Sequence, residues 1–525
     1  MLRMLARPIQ DLVEKLKNHK NIAVAPSGDD SFINVNKITE KAGAFYEKVR
    51  YLVDYKDEHH IRRSAIERIV KRKIVFEGGQ AIALSLVQEL IAGKYLANNS
   101  IAESTVAEVE NIVQKYITLG KYFPADFARS PRARSLLVSL TSCELEEFFY
   151  PNVEDELVAL AYSATIADNI KIETTLSPSQ VNLQVSLACF RSLLNSDDET
   201  LRYKLWLKFN PGWSSLSSEA DIADIGKKSF DTSRAIHEAL NDPLSFKLLP
   251  KLSNYAIYFA VIREIVRAYG AESERVFSDQ KMLEEFASKF LLKNYKQQYA
   301  KTRDSAVRAV FYIFCTKILL ALALEVPYEL YILKNLNYLP LGLNIAVHPL
   351  LLLCVTLSVG RLGEDNTKKI ISGVMGALDG EHTRLIKVNA ERVSFFTLIF
   401  YALYAIMFLI IFGAIVWGLS ELRFSIVSML LFLCFLALVS YFALRIRHSA
   451  NKWRIKKEND KIVSLLFNLF ALPIISVGKW LSRKFSSINL FVFVLDFIIE
   501  TPFKFLLHFS DAFVSFLKEK QDDVY

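Results

Sequence analysis

Four long apolar runs between Val307 and Leu444 constrain this chain more than any other feature. They are Val307–Leu333, Leu339–Val359, Phe395–Leu419 and Phe424–Leu444. Each has enough predominantly apolar residues to cross a hydrocarbon core of about 30 Å as a helix. Inside a bilayer the backbone finds no water, and a helix satisfies every N–H and C=O within one segment. The runs therefore read as four transmembrane helices.

Lys and Arg near the ends of the runs set the expected orientation. Lys293, Lys296, Lys301, Arg303 and Arg308 precede the first run. Arg361, Lys368, Lys369, Arg384, Lys387 and Arg392 lie between the second and third. Arg445, Arg447, Lys452, Arg454, Lys456, Lys457 and Lys461 follow the fourth. The other two connections, Lys334–Asn337 and Ser420–Arg423, are tiny. All the strong basic clusters fall on one side, which reads as the cytoplasm, with both termini there. The protein is then an integral protein of the cell (inner) membrane with almost no outer face.

The 525 residues carry a formal charge of +8, and the hydrophobic share is only 52% because a polar half precedes the membrane half. In that polar half apolar residues recur at helical spacing, and strand-like alternation is scarce. Helices are expected over 80–96, 101–119 with Ser100 as N-cap, 132–149, 153–167, 178–194, 220–240 and 246–269. From Asp279 to Arg308 a polar helical pattern without Gly or Pro runs into the first membrane helix. The expected fold class is all-α. A helical cytoplasmic domain (37–290) follows a partly flexible N-terminal segment (1–36). A juxtamembrane helix and four transmembrane helices (291–445) come next. A basic linker and amphipathic in-plane C-terminal helices (446–525) close the chain.

The tail differs from the four spans. In Asn489–Lys518 the polar residues fall within an arc of roughly 120° at 100° per residue, and the rest of the circumference is Phe, Leu, Val and Ile. Such a helix suits the membrane plane. If the segment before Asn489 crossed the bilayer instead, Lys479, Arg483 and Lys484 would lie outside, against the positive-inside rule.

Two groups of charged or polar residues are candidate sites. The first is intramembrane: Lys317, Glu325, Glu329, Asn344 and His348. Lys317 lies roughly 13 Å inside Arg308, and His348 roughly 15 Å inside Tyr338, so they reach similar depth on neighbouring antiparallel helices. A central Lys costs about 2.5–3.5 kcal/mol on insertion scales, so such residues face protein or water. The second is the densest basic cluster of the soluble half: Arg62, Arg63, Arg68, Lys71, Arg72 and Lys73. It reads either as an anionic-lipid or partner contact or as a solvated face paired with Asp57, Glu58 and Glu67. No aromatics are interleaved with these bases, which argues against nucleic acid.

The five cysteines are scattered without CxxC spacing, so neither a disulfide framework nor a metal site is expected. No phosphate loop, dinucleotide fingerprint, HExxH or GxSxG stands in a suitable setting, so no catalytic motif and no cofactor is expected. A membrane enzyme is left without a motif to support it, and two other functions stand ahead of it. One is a membrane-anchored structural or interaction protein that presents its helical domain to other proteins or lipids. The other is a homo-oligomeric channel or transporter using Lys317, Glu325 and His348.

Overall fold

The computed structural model describes residues 5–20, 31–37, 40, 41, 43, 47, 58–76, 82–168, 172–173, 176–380, 388–389, 395–455 and 462–487. These residues are overwhelmingly helical, and four helices long and apolar enough to cross a membrane follow a helical N-terminal region. The N-terminal region contains α1 (Arg7–Lys20), α2 (Glu58–Phe76), α3 (Ala83–Ala92), α4 (Glu103–Lys121), α5 (Ala125–Ala128) and α6 (Pro131–Phe149). It continues with α7 (Val153–Ala167), α8 (Pro178–Leu194), α9 (Asp198–Phe209), α10 (Glu219–Asn241), α11 (Pro243–Tyr269) and α12 (Ser273–Ser278). The membrane half contains α13 (Gln280–Leu320), α14 (Tyr338–Leu357), α16 (Phe395–Glu421), α17 (Ile426–Ala450) and α18 (Ile462–Ser487), with α15 (Glu364–Asp379) between α14 and α16. Extended pairing among the described residues is limited to Ile172–Glu173 alongside Val388–Asn389, in parallel, and a bridge between Phe32 and Ala102.

Helix starts follow local chemistry. Ser130 accepts from the N–H of Ala133, with Pro131 at the first helical position of α6. Ser177 and Gln180 form a reciprocal capping box at α8. Asp242 caps α11 ahead of Pro243, and Asp279 caps α13 through the N–H groups of Lys281 and Met282. One expected cap is absent: α4 begins at Glu103 after Ala102, and the Ser100 hydroxyl donates instead to the carbonyl of Ala97. A local turn has taken the hydroxyl that the helix was expected to use.

Two apolar cores hold the N-terminal region. The smaller gathers Ile66, Val70, Leu86, Leu90, Val109 and Val113 from α2, α3 and α4. The larger surrounds α11, whose Phe259, Ile262, Ile265 and Val266 are fully buried. The amphipathic helix α1 belongs to this core through Ile9, Leu12 and Leu16.

The larger core also takes in pieces of the membrane half. Ile370, Val374, Ala377 and Leu378 of α15 are buried in it, as is Trp453 beyond α17. Gly373 lets α15 come so close to α11 that a Cβ there would sit 2.2 Å from the Tyr258 ring. The N–H of Ala6 donates to the carbonyl of Leu378 at 2.7 Å. Asn366 Nδ2 donates to the Trp453 carbonyl and to the Tyr295 hydroxyl, both at 2.8 Å, while Asn366 Oδ1 accepts from the N–H of Ile455. Helix α13 enters the same core through Leu283, Ala287, Leu291 and Tyr295 and then continues unbroken into its apolar run.

Exchanging Gly for Ala inside an ordinary helix stabilises it by roughly 0.5–1 kcal/mol. At Gly373 the opposite is expected. Gly373→Ala forces a methyl into the Tyr258 ring, and overpacking of this kind costs about 1–3 kcal/mol. Thermal unfolding of the purified protein reads this directly. A melting temperature equal to or above the parent's would mean that α15 is not seated on α11.

Candidate functional site: a buried polar network in the apolar bundle

Helices α13, α14 and α17 pack on one another and enclose the intramembrane polar residues. Lys317 is 3% exposed, Glu325, Glu329 and Asn344 are each 1%, and His348 and Ser428 are 0%. Burying an isolated ion in apolar surroundings is prohibitive, so such groups must satisfy one another. Asn344 is the adaptor. Lys317 Nζ donates to Asn344 Oδ1 at 2.5 Å, and Asn344 Nδ2 donates to Glu325 Oε2 at 3.0 Å and Oε1 at 3.2 Å. The two ends of the amide differ chemically. The oxygen turns to the ammonium and the NH2 to the carboxylate, which leaves one sensible orientation. Asn344 Nδ2 also lies 3.3 Å from the Ser428 carbonyl, which brings α17 into the network. The Phe435 ring covers Lys317, its centroid 4.3 Å from Nζ, in a desolvated cation–π contact.

The backbone of the first apolar run makes this meeting geometrically feasible. At 3.6 residues per turn, Glu325 and Glu329 would stand about 80° and 120° round the helix from Lys317. The turns Ala321–Glu325 and Tyr328–Ile332 are π-helical instead, on either side of Pro327. A wider turn rotates less per residue, so both carboxylates are drawn back toward the face of Lys317. Proline contributes no N–H, which loosens the α ladder where the turns widen.

Glu329 closes the far end. Its Oε2 accepts from the N–H of Asn337 at 3.1 Å, just ahead of α14, and its Oε1 accepts from the Ser428 hydroxyl at 3.3 Å. His348 sits below Asn344. Its Nδ1 is 3.1 Å from the Asn344 carbonyl and its Nε2 is 3.0 Å from the Phe432 carbonyl. Which of the two ring nitrogens donates depends on the tautomer of the imidazole. Toward the N-terminal domain the polar zone ends at a dry cluster of Ile313, Leu352, Val439 and Ala443.

All five intramembrane candidates therefore meet at one locus. Sequence reasoning missed Ser428, Phe435 and the carbonyl of Phe432. Ser428 had a visible signal, as a hydroxyl in an apolar run, but its partner Glu329 lies 99 residues away in sequence.

The basic cluster is placed differently. Arg63 is buried, bonds Glu67 at 2.9 Å and pairs with Asp197. Arg68 reaches Glu47 at 3.0 Å, and Arg72 and Lys73 both turn to Glu89. Arg62 lies over the Tyr150 ring. Of the six, Lys71 alone is classed as exposed. Five of the bases thus face protein; of the expected partners Glu67 pairs with Arg63, while Asp57 and the side chain of Glu58 lie outside the described residues. A separate buried knot joins Lys115 Nζ to Glu144 Oε1 at 2.5 Å, with the Tyr116 hydroxyl also donating to Glu144 and Trp213 Nε1 donating to Tyr116 at 2.9 Å. It is internally satisfied and reads as core. No cluster able to hold a metal ion occurs among the described residues.

Set beside family models, curated proteins and solved structures, the chain matches none. Function must be argued from this geometry.

Removing one partner of a buried ion pair costs about 3–5 kcal/mol, whereas replacing both by apolar groups can be neutral. Lys317→Met or Glu325→Gln alone should therefore lower the detergent-state melting temperature clearly. The double variant should recover part of the loss. Single variants as stable as the parent would show that the amide does not couple the two charges.

In the N-terminal domain, burial pushes the Glu146 carboxyl up to about 7, against the pull of Arg62 and Arg63. A raised carboxyl stabilises the fold fully below its unfolded value, near 4.5, and loses that contribution as pH rises through about 7. At about 1.4 kcal/mol per unit, the loss amounts to a few kcal/mol. Glu146→Gln should flatten the decline in unfolding free energy between these pH values. A slope equal to the parent's would remove Glu146 as its source.

Proposed function

We propose that this chain is a membrane-anchored structural or interaction protein that holds its helical domain in a fixed pose on the bilayer. One observation supports the reading above the others. The connection between the second and third membrane helices and the segment after the fourth are built into the domain's core, through α15, Asn366 and Trp453. Arg454 adds a bond to the Gly360 carbonyl at 2.8 Å, and Gln298 one to the Ser449 carbonyl at 3.0 Å. A tether would need only one flexible link. This domain is joined at three places, and its orientation relative to the membrane is thereby constrained.

On this reading the domain lies on the cytoplasmic side, because the basic clusters flank the bundle there. Its partners are membrane lipids and other proteins, and a homo-oligomer is compatible with the exposed apolar surface of α16. The polar network then acts as adhesive and register pin between membrane helices.

A second reading has its own observation. The network combines two carboxylates, a Lys and a His, and runs from the far-side loop at Asn337 to the dry cluster at Leu352. Such a string of ionisable groups is what a proton or ion relay in a transporter uses.

Spin labels on the domain and on the membrane half separate these readings. The platform predicts a narrow distance distribution that Asn366→Ala broadens, and no ion or proton flux in proteoliposomes. A broad distribution in the parent would defeat the platform. Flux that Lys317→Leu abolishes would establish the transport reading instead.

A further inference from the structure

We infer that α18 enters the membrane beside α17 as a fifth crossing helix rather than lying in the membrane plane. The inference is independent of whether the protein is a platform or a path. The sequence pattern alone favours the plane, because crossing carries Lys479, Arg483 and Lys484 outward. The packing points the other way. Among the described residues, helix α18 makes the most extensive helix–helix contact, and its partner is α17. A helix lying across α17 would touch it at one point, whereas a helix running alongside touches it over many turns.

Gly478 fixes the depth. A Cβ there would stand 1.9 Å from the Ala437 carbonyl oxygen and 2.9 Å from Tyr441 Cβ, so the two backbones are in contact. Close approach at a small residue is how helices associate in lipid. Ala437 lies seven residues before Leu444, roughly 10 Å inside the apolar run of α17. A second marker agrees. The Tyr404 hydroxyl donates to Ser476 Oγ at 3.1 Å, and Tyr404 is nine residues, roughly 14 Å, into the third membrane helix.

The direction follows from chain length. Ile455 is held on the domain side by Asn366. Six residues, seven Cα–Cα steps, link it to Ile462 and span at most about 25 Å. Ile462 is sixteen residues, roughly 24 Å, from Gly478. If α18 ran parallel to α17, Ile462 would lie roughly 34 Å from the domain-side boundary, beyond the linker's reach. The helix therefore rises from the domain side. Beyond Gly478 it continues nine residues to Ser487, roughly 13 Å further out.

The energetic cost of the cations can be bounded. Lys479 stands near the middle and costs about 2.5–3.5 kcal/mol on insertion scales. Six Leu, Ile, Val and Phe residues from Leu472 to Phe485, the part of the helix that lies inside the apolar run, at about −0.3 to −0.6 kcal/mol each, offset one such cation. Arg483 and Lys484 have long stems that carry their charge toward the far headgroups. The arrangement also gives α16 a neighbour. Helix α18 packs along α16, whose far end, at Ile415 and Leu419, also packs on Phe432 of α17.

A membrane-impermeant maleimide on sealed vesicles tests this with the full chain. Asn335→Cys and Lys452→Cys mark the two sides, and the parent serves as blank for native thiols. Lys484→Cys should label from the same side as Asn335→Cys. Labelling from the side of Lys452→Cys, or from neither side, overturns the crossing. Arg483→Cys repeats the reading one residue away should the first variant fail to fold. Gly478→Leu should displace α18 and abolish far-side labelling at residue 484, and labelling that survives it unchanged would equally count against the packing.

Discussion

An ammonium and a carboxylate with a single amide between them govern the membrane half. Lys317 and Glu325 lie on one helix and Asn344 on the next, and the amide faces each with the atom that suits it. Neither charge is stable in apolar surroundings without the other. The pairing therefore dictates which faces of α13 and α14 meet and at what height. Ser428 and the carbonyl of Phe432 extend the same demand to α17. Apolar side chains alone give lipid-embedded helices little preference for one neighbour over another. In this bundle the polar atoms supply that preference, and the π-helical turns are the backbone's concession to it.

Helix α13 carries this constraint out of the membrane. Its first turns pack into the larger core and its last α-helical turn holds Lys317, with no break among the residues between. The core in turn grips α15 and Trp453. Domain and bundle are consequently one packed object with a seam of hydrogen bonds around Asn366.

Much of this was legible from local pattern. Helical periodicity marked α7 and α8 to the residue, hydropathy marked the four long apolar helices, and the absence of Gly and Pro marked the continuity of α13. Two things were not legible. The π turns change hydrogen-bond register, which no composition records. The basic cluster of α2 was weighed against nearby acids, yet Asp197, 134 residues away, takes Arg63, because tertiary packing rather than sequence distance selects a buried partner. The amphipathic stretch Asn489–Lys518 lies outside the described residues; in the segment before it, a helix with one polar stripe suits a membrane surface and a protein flank equally well.

The seam has a consequence for how the protein is made. The N-terminal core cannot be completed from N-terminal residues. Ala6 waits for Leu378, and Tyr258 for Gly373, both of which emerge only after two membrane helices have been synthesised. Trp453 arrives after the fourth. Insertion into the lipid must therefore precede the final closure of the domain, and an unfilled apolar slot along α11 must stay shielded on the nascent chain until then.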